Sequence, residues 1–137
     1  MLIDKLAVLD GFINNEYLQK YCLLIERNRH TKNFKGTNKH HIIPRCWFKL
    51  HGEEVDNTTN NLVTLSYREH VLAHYFLCLC TIDKLQYANQ LALMCLTTRK
   101  KLNIVEKQLI ARLPLYNNIY ESCKQRQHNS YKLYEEN

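Results

Sequence analysis

Glycine and proline are scarce, three and two among 137 residues. That excludes collagen-like and low-complexity chains and argues against a turn-rich all-β fold. No apolar run approaches the roughly 20 residues of a helical membrane span, so no membrane partner is expected. Met1-Leu2-Ile3-Asp4-Lys5 has neither the charged start nor the apolar stretch of a secretory signal. The expected location is therefore the cytoplasm, where thiols stay reduced. Zinc-type cysteine spacing is missing too: Cys22, Cys46, Cys78, Cys80, Cys95 and Cys123 include no C-x₂-C pair. Cys78-x-Cys80 lies inside the apolar stretch from Ala73 to Cys80, where a free cysteine acts as a small buried hydrophobe.

The length fits one compact domain, and 45% hydrophobic residues suffice for a core without disulfides. Acid is in deficit, 13 Asp+Glu against 19 Lys+Arg, and the formal net charge of +6 is unevenly placed. Arg27, Arg29, Lys32, Lys35, Lys39, Arg45 and Lys49 face the single acid Glu26 within residues 26–49. A second block, Arg99, Lys100, Lys101, Lys107, Arg112, Lys124 and Arg126, faces Glu106 and Glu121. Two basic blocks around a mildly acidic centre suit a polyanion, nucleic acid before membrane surface, although a solvated basic face explains the charge equally well.

Local signals read mostly as helix. Tyr17, Leu18, Tyr21, Cys22, Leu24 and Ile25 recur at helical spacing, predicting a helix from Asn15 to about Arg27. Residues 28–38 are polar and basic and read as a loop. His40–Ile43 reads as a short strand stopped by Pro44, which favours extended geometry before it. Residues 45–60 read as a long loop, and Asn61–Leu65 as a second strand. Ser66-Tyr67-Arg68-Glu69 is a capping box that starts a helix running to about Cys80. Asp83 is read as the cap of a helix over 84–97, and Asn103 with Glu106 as the cap of one ending before Pro114. Residues 115–134 read as helical. The predicted fold class is α+β and mostly helical, with one short β pair in the middle.

Five of the seven histidines, His40, His41, His51, His70 and His74, fall between residues 40 and 74. His70 and His74 are four apart on a predicted helix, so both imidazoles share a face and can chelate one metal ion. His51 beside Gly52 reads as a loop histidine, and His30 and His128 as solvated ones. The order of parts adds weight: Lys39-His40-His41-Ile42-Ile43-Pro44, then Asn61-Leu62-Val63, then Arg68-Glu69-His70-Val71-Leu72-Ala73-His74. This strand–loop–strand–helix set resembles the ββα-metal (His-Me finger) motif of the HNH endonuclease superfamily, over residues 38–80. The flanking stretches are similar to those of small phage and bacterial HNH proteins.

That resemblance implies a domain over residues 1–114 built round the ββα core, with a basic helical arm at 115–137 packed on it. It implies that His40, His70 and His74 hold one divalent ion. His41 would be the general base that takes a proton from water, a role suited to an ordinary pKa near 6.5. Asn61 matches the family's asparagine, whose amide ties down the loop, with Asn60 or Asn57 as alternatives. Three histidines suit Zn²⁺, Mn²⁺ or Ni²⁺ better than Mg²⁺, which prefers oxygen. Arg27, Arg29, Lys32, Lys35, Lys39 and Arg45 would contact the phosphates of double-stranded DNA. Many relatives carry Glu where this chain has Asn38, and others Gly-Gly where it has Trp47–Gly52.

The implied activity is metal-dependent hydrolysis of DNA phosphodiesters leaving a 5′-phosphate. The resemblance points to a nuclease of the phage or mobile-element homing or nicking type, working in the host cytoplasm. The runner-up is a non-catalytic nucleic-acid-binding module in which zinc only shapes the ββα unit. A third reading makes the C-terminal arm the contact of a homodimer.

Overall fold

The computed structural model describes residues 1–99 and 101–136, with side chains to residue 129; Lys100 of the second basic block lies outside them. The elements in chain order are α1 (Leu2–Ala7), α2 (Glu16–Arg27), β1 (Thr37–His41) and α3 (Arg45–Leu50). A single turn of 3₁₀ helix at Thr59–Asn61 leads into β2 (Leu62–Ser66). Then come α4 (Tyr67–Cys80), α5 (Asp83–Thr97), α6 (Ile104–Ala111) and α7 (Tyr116–Glu136). The class is mostly helical with one two-stranded antiparallel sheet, as expected.

Helix α2 starts where the sequence signals it. The Asn15 side chain accepts from the Tyr17 and Leu18 N–H groups at 3.0 and 3.1 Å, satisfying donors that a helix start leaves free. Its amide also donates to the Leu79 carbonyl at 2.9 Å, tying this end to the far end of α4. Leu18, Tyr21, Cys22, Leu24 and Ile25 are buried along one face. At the other end Asn28 donates to the Leu24 carbonyl and to Glu69, each at 2.9 Å. Glu69 thus does more than close the capping box with Ser66. It also ties α2 to α4.

Helix α4 is the centre of the packing. It lies against α5 and α2 and touches both strands. Val71, Ala73, Tyr75, Leu77, Cys78 and Cys80 are buried on different sides, as befits a helix covered all round. A two-stranded sheet is marginal alone; here Val63 and Leu65 of β2 sit in the same core as Leu18, Tyr21, Leu24 and Leu77. A second cluster joins Val71, Tyr75, Cys78, Leu93, Leu96 and Ile119, which packs α7 onto α4 and α5. All six cysteines are free, with Cys22, Cys78, Cys80 and Cys123 buried. Burial raises the thiol pKa values, to about 12 for Cys80, so these groups stay protonated and inert. Among the described residues no helix is long and apolar enough to cross a membrane.

Three expectations need correction, and one helix is additional. The first strand is Thr37–His41, not His40–Ile43: the Ile42 N–H still meets the Asn61 carbonyl at 2.9 Å, but the Ile42 carbonyl accepts from Tyr21 and the Asn61 N–H turns to the Thr58 carbonyl, so pairing stops there. Ile42 and Ile43 are buried as core residues at a bend. The loop expected over 45–60 contains α3, which starts directly after Pro44 and buries Phe48. Asp83 does not cap α5. It has φ 54, outside the extended geometry of an N-cap, and Ile82 takes that place with φ −127 and ψ 164. Helix α1, with Leu6 fully buried, was not foreseen.

Candidate metal centre

In the register of β1 and β2, His40 pairs with Val63 and His41 with Leu62. The strand therefore delivers His40 to its buried side, 3% exposed, facing α4. One α-helical turn separates His70 and His74, so α4 presents both rings to the same place. The three meet there. Ring centroids lie 5.3 Å apart for His40–His70, and 5.0 Å for both His40–His74 and His70–His74. One ligand nitrogen from each comes within 4.8 Å of the other two, close enough to hold one metal ion.

The donor set fits a cation. The Nδ1 atoms of His70 and His74 are buried with no hydrogen-bond partner, a state that costs about 1–3 kcal/mol per group. Burial, and then the charge of neighbouring histidines, holds the His40 pKa well below the ordinary value. Burial, then the Arg99 charge, lowers His70 to about 4. Burial, then His70, lowers His74 to about 3. All three rings are neutral at pH 7, the state in which imidazole binds a metal.

His40 is held from behind by α2. The buried Tyr21 hydroxyl lies 2.7 Å from His40 Nε2 and donates to the Ile42 carbonyl, also at 2.7 Å. Tyr21 is fully buried, and that burial keeps its hydroxyl protonated.

His41, next along the strand, is half-buried, and its Nε2 lies 2.7 Å from Asn57 Oδ1. An amide oxygen only accepts, so a proton sits on Nε2, and in the neutral ring the lone pair is on Nδ1. Asn61 does not touch His41. Buried at 3% exposure, it accepts from the Ile43 N–H at 2.8 Å and donates to the carbonyls of Ile43 and Asp56 at 3.2 and 3.0 Å. Two asparagines thus divide the work between them. Asn61 fastens the bend after β1 to the 51–58 loop, and Asn57 on that loop holds His41. Asn60 is exposed.

A cavity of about 480 Å³ opens on this cluster. Its walls include His40, His41, His70 and His74, the cations Lys39, Arg45 and Lys49, and Ala88, Asn89 and Ala92 of α5. Of the six basic residues expected to contact phosphate, Lys39 and Arg45 line it, and Lys49 joins them. Arg27, Arg29, Lys32 and Lys35 are exposed at the end of α2 and in the following loop, away from its walls. Arg29 pairs with Glu26 at 3.4 Å. In the second block, Arg126 is taken up by α7–α5 packing, donating to Gln86 and Gln90 at 2.8 and 3.2 Å.

His51 lies apart from the cluster. It stacks on Trp47, with ring centroids 4.4 Å apart, and reaches Asp10 at 3.0 Å. Tyr21, Lys49 and Asn89 are the neighbours of the site that the motif did not disclose. Asn89 is fully buried with an unpartnered Oδ1. No known protein family, curated protein or solved structure matches this chain.

Proposed function

We propose that this chain is a metal-dependent endonuclease of the HNH type, acting on DNA. The observation that carries the reading is the convergence of His40, His70 and His74 with His41 on one cavity edged by Lys39, Arg45 and Lys49. In this reading His40 comes from the first strand of a ββα-metal unit, and His70 and His74 from its helix. A divalent ion bound there supplies Lewis-acid stabilisation of the phosphate and the departing oxygen.

The protein's own groups do the rest. Lys39, Arg45 and Lys49 draw a phosphate into the cavity through positive charge at its edge. With Asn57 accepting from Nε2, the neutral His41 ring carries its lone pair on Nδ1, the atom that accepts a proton from the attacking water. Asn61 keeps the loop bearing Asn57 in register with β1. Ala88, Asn89 and Ala92 of α5 complete the cavity wall.

The test is cleavage of supercoiled plasmid with Mg²⁺, Mn²⁺, Ni²⁺ or Zn²⁺ beside an EDTA control, with products mapped on both strands. Metal-dependent nicks bearing 5′-phosphates support the proposal. Tight binding of DNA and metal without cleavage of any DNA would favour the non-catalytic module instead. If about seven cations meet phosphates, log affinity falls against log salt with a slope near −6. A slope flatter than about −2 removes that role for the basic blocks.

A further inference from the structure

The Tyr21 hydroxyl has one proton and two polar neighbours, each at 2.7 Å. The Ile42 carbonyl can only accept, so it takes that proton. His40 Nε2, at the same distance from the phenolic oxygen, must then be the donor. Any other arrangement sets two unprotonated acceptors against each other inside the core.

From this proton count we infer that Tyr21 is a positioning residue for the metal centre. It locks His40 in the tautomer with hydrogen on Nε2, which leaves Nδ1 as the nitrogen whose lone pair is free to join His70 and His74 on a metal. The inference rests on the metal-centre reading above. Its own basis is a hydrogen-bond pair reaching from α2, outside the strand–loop–strand–helix segment. A free histidine samples both tautomers, so the lock removes the reorganisation that would otherwise weaken binding. Tyr21 also makes the Ile42 carbonyl part of the same arrangement. That fixes the backbone of the residue after His41, so α2, the bend and the ligand hold one another.

Partners of this kind are typically worth 10–100-fold in metal affinity. Tyr21→Phe keeps the ring and deletes only the hydroxyl, so Co²⁺ and Zn²⁺ affinity should fall by about that factor. Affinity is read by competition with a chromophoric chelator, and the His40 tautomer by long-range ¹H–¹⁵N NMR on the metal-free protein. The wild type should show His40 protonated on Nε2, and Tyr21→Phe a mixture of tautomers. Leu18→Ala, on the same buried face of α2, is the structural control. It should lower the melting temperature without moving tautomer or affinity.

A wild-type His40 protonated on Nδ1 overturns the inference without any variant, even if Tyr21→Phe does not fold. So does a folded Tyr21→Phe that binds Co²⁺ within twofold of wild type, or a Leu18→Ala that weakens binding equally. Failure of the wild type to bind either metal is a different result. It defeats the metal-centre reading, while the tautomer measurement still reports on Tyr21.

Discussion

Replacing Asn61 with alanine separates the loop fastening from the metal centre. The side chain is 3% exposed and makes three hydrogen bonds, to the N–H and carbonyl of Ile43 and to the Asp56 carbonyl. The Ile43 N–H suffers most. Ile43 is 8% exposed, so its donor is left without an acceptor, at about 1–3 kcal/mol. Its carbonyl loses one donor, a smaller penalty because an under-satisfied carbonyl is better tolerated. Asp56 is half-exposed and its carbonyl can turn to water. The sum is about 2–4 kcal/mol, below the roughly 5–15 kcal/mol of a typical domain, so the variant should still fold. In urea titration the midpoint should fall by about 1–2 M at a slope of about 2 kcal/mol/M. Zn²⁺ affinity should stay within about threefold of wild type, because none of the three ligands touches Asn61, whereas cleavage should drop with the loosened loop. Asn57→Ala, at an exposed position, should cost under about 1 kcal/mol of stability while still cutting cleavage. A stability loss below about 0.5 kcal/mol for Asn61→Ala refutes the fastening role. Equal stability losses for both variants refute the division of labour.

Three further outcomes follow from the same geometry. With His70 near 4, His74 near 3 and His40 also lowered, protons compete weakly with metal at pH 5. Co²⁺ affinity should fall less than about tenfold between pH 7 and 5, against roughly ten-thousandfold for three ordinary histidines of pKa 6.5. Zn²⁺ at 100 times its Kd should stabilise the wild type by about 2.7 kcal/mol and raise its Tm by roughly 10 °C. His70→Ala should show almost none of that rise in a thermal melt. The His51 pKa is raised by its bond to the Trp47 carbonyl and then by Asp10. The stability it adds is present in full below its ordinary value of 6.5 and is lost as pH rises through the higher folded value. His51→Phe keeps a ring on Trp47 and should flatten that decline in urea titrations across pH 6–8.

Helix starts were legible because their signals are local. The Ser66–Glu69 and Asn103–Glu106 boxes act within four residues and cap as expected, while Asn15, read as the first residue of its helix, is that helix's cap. Period and proline misled round β1. Ile42 and Ile43 look like strand residues, yet the chain bends there because Asn61 takes the Ile43 N–H and Tyr21 the Ile42 carbonyl. Helices α1 and α3 have six residues each, too few for a periodic stripe. The histidines of the site were legible through their spacing and order. Their support was not, since Tyr21 meets His40 only when α2 docks on α4, and Asn89 reaches the cavity only when α5 docks on α4.

Cleavage by His41→Ala at matched metal occupancy puts the central claim to the hardest test. His41 does not belong to the ligand trio, so the variant should bind one Zn²⁺ or Mn²⁺ with unchanged affinity. Its single-turnover rate on plasmid should fall by about 10²–10⁴-fold, the usual contribution of a general base. Undiminished cleavage by metal-loaded His41→Ala would contradict the assignment of His41 as the base beside the metal.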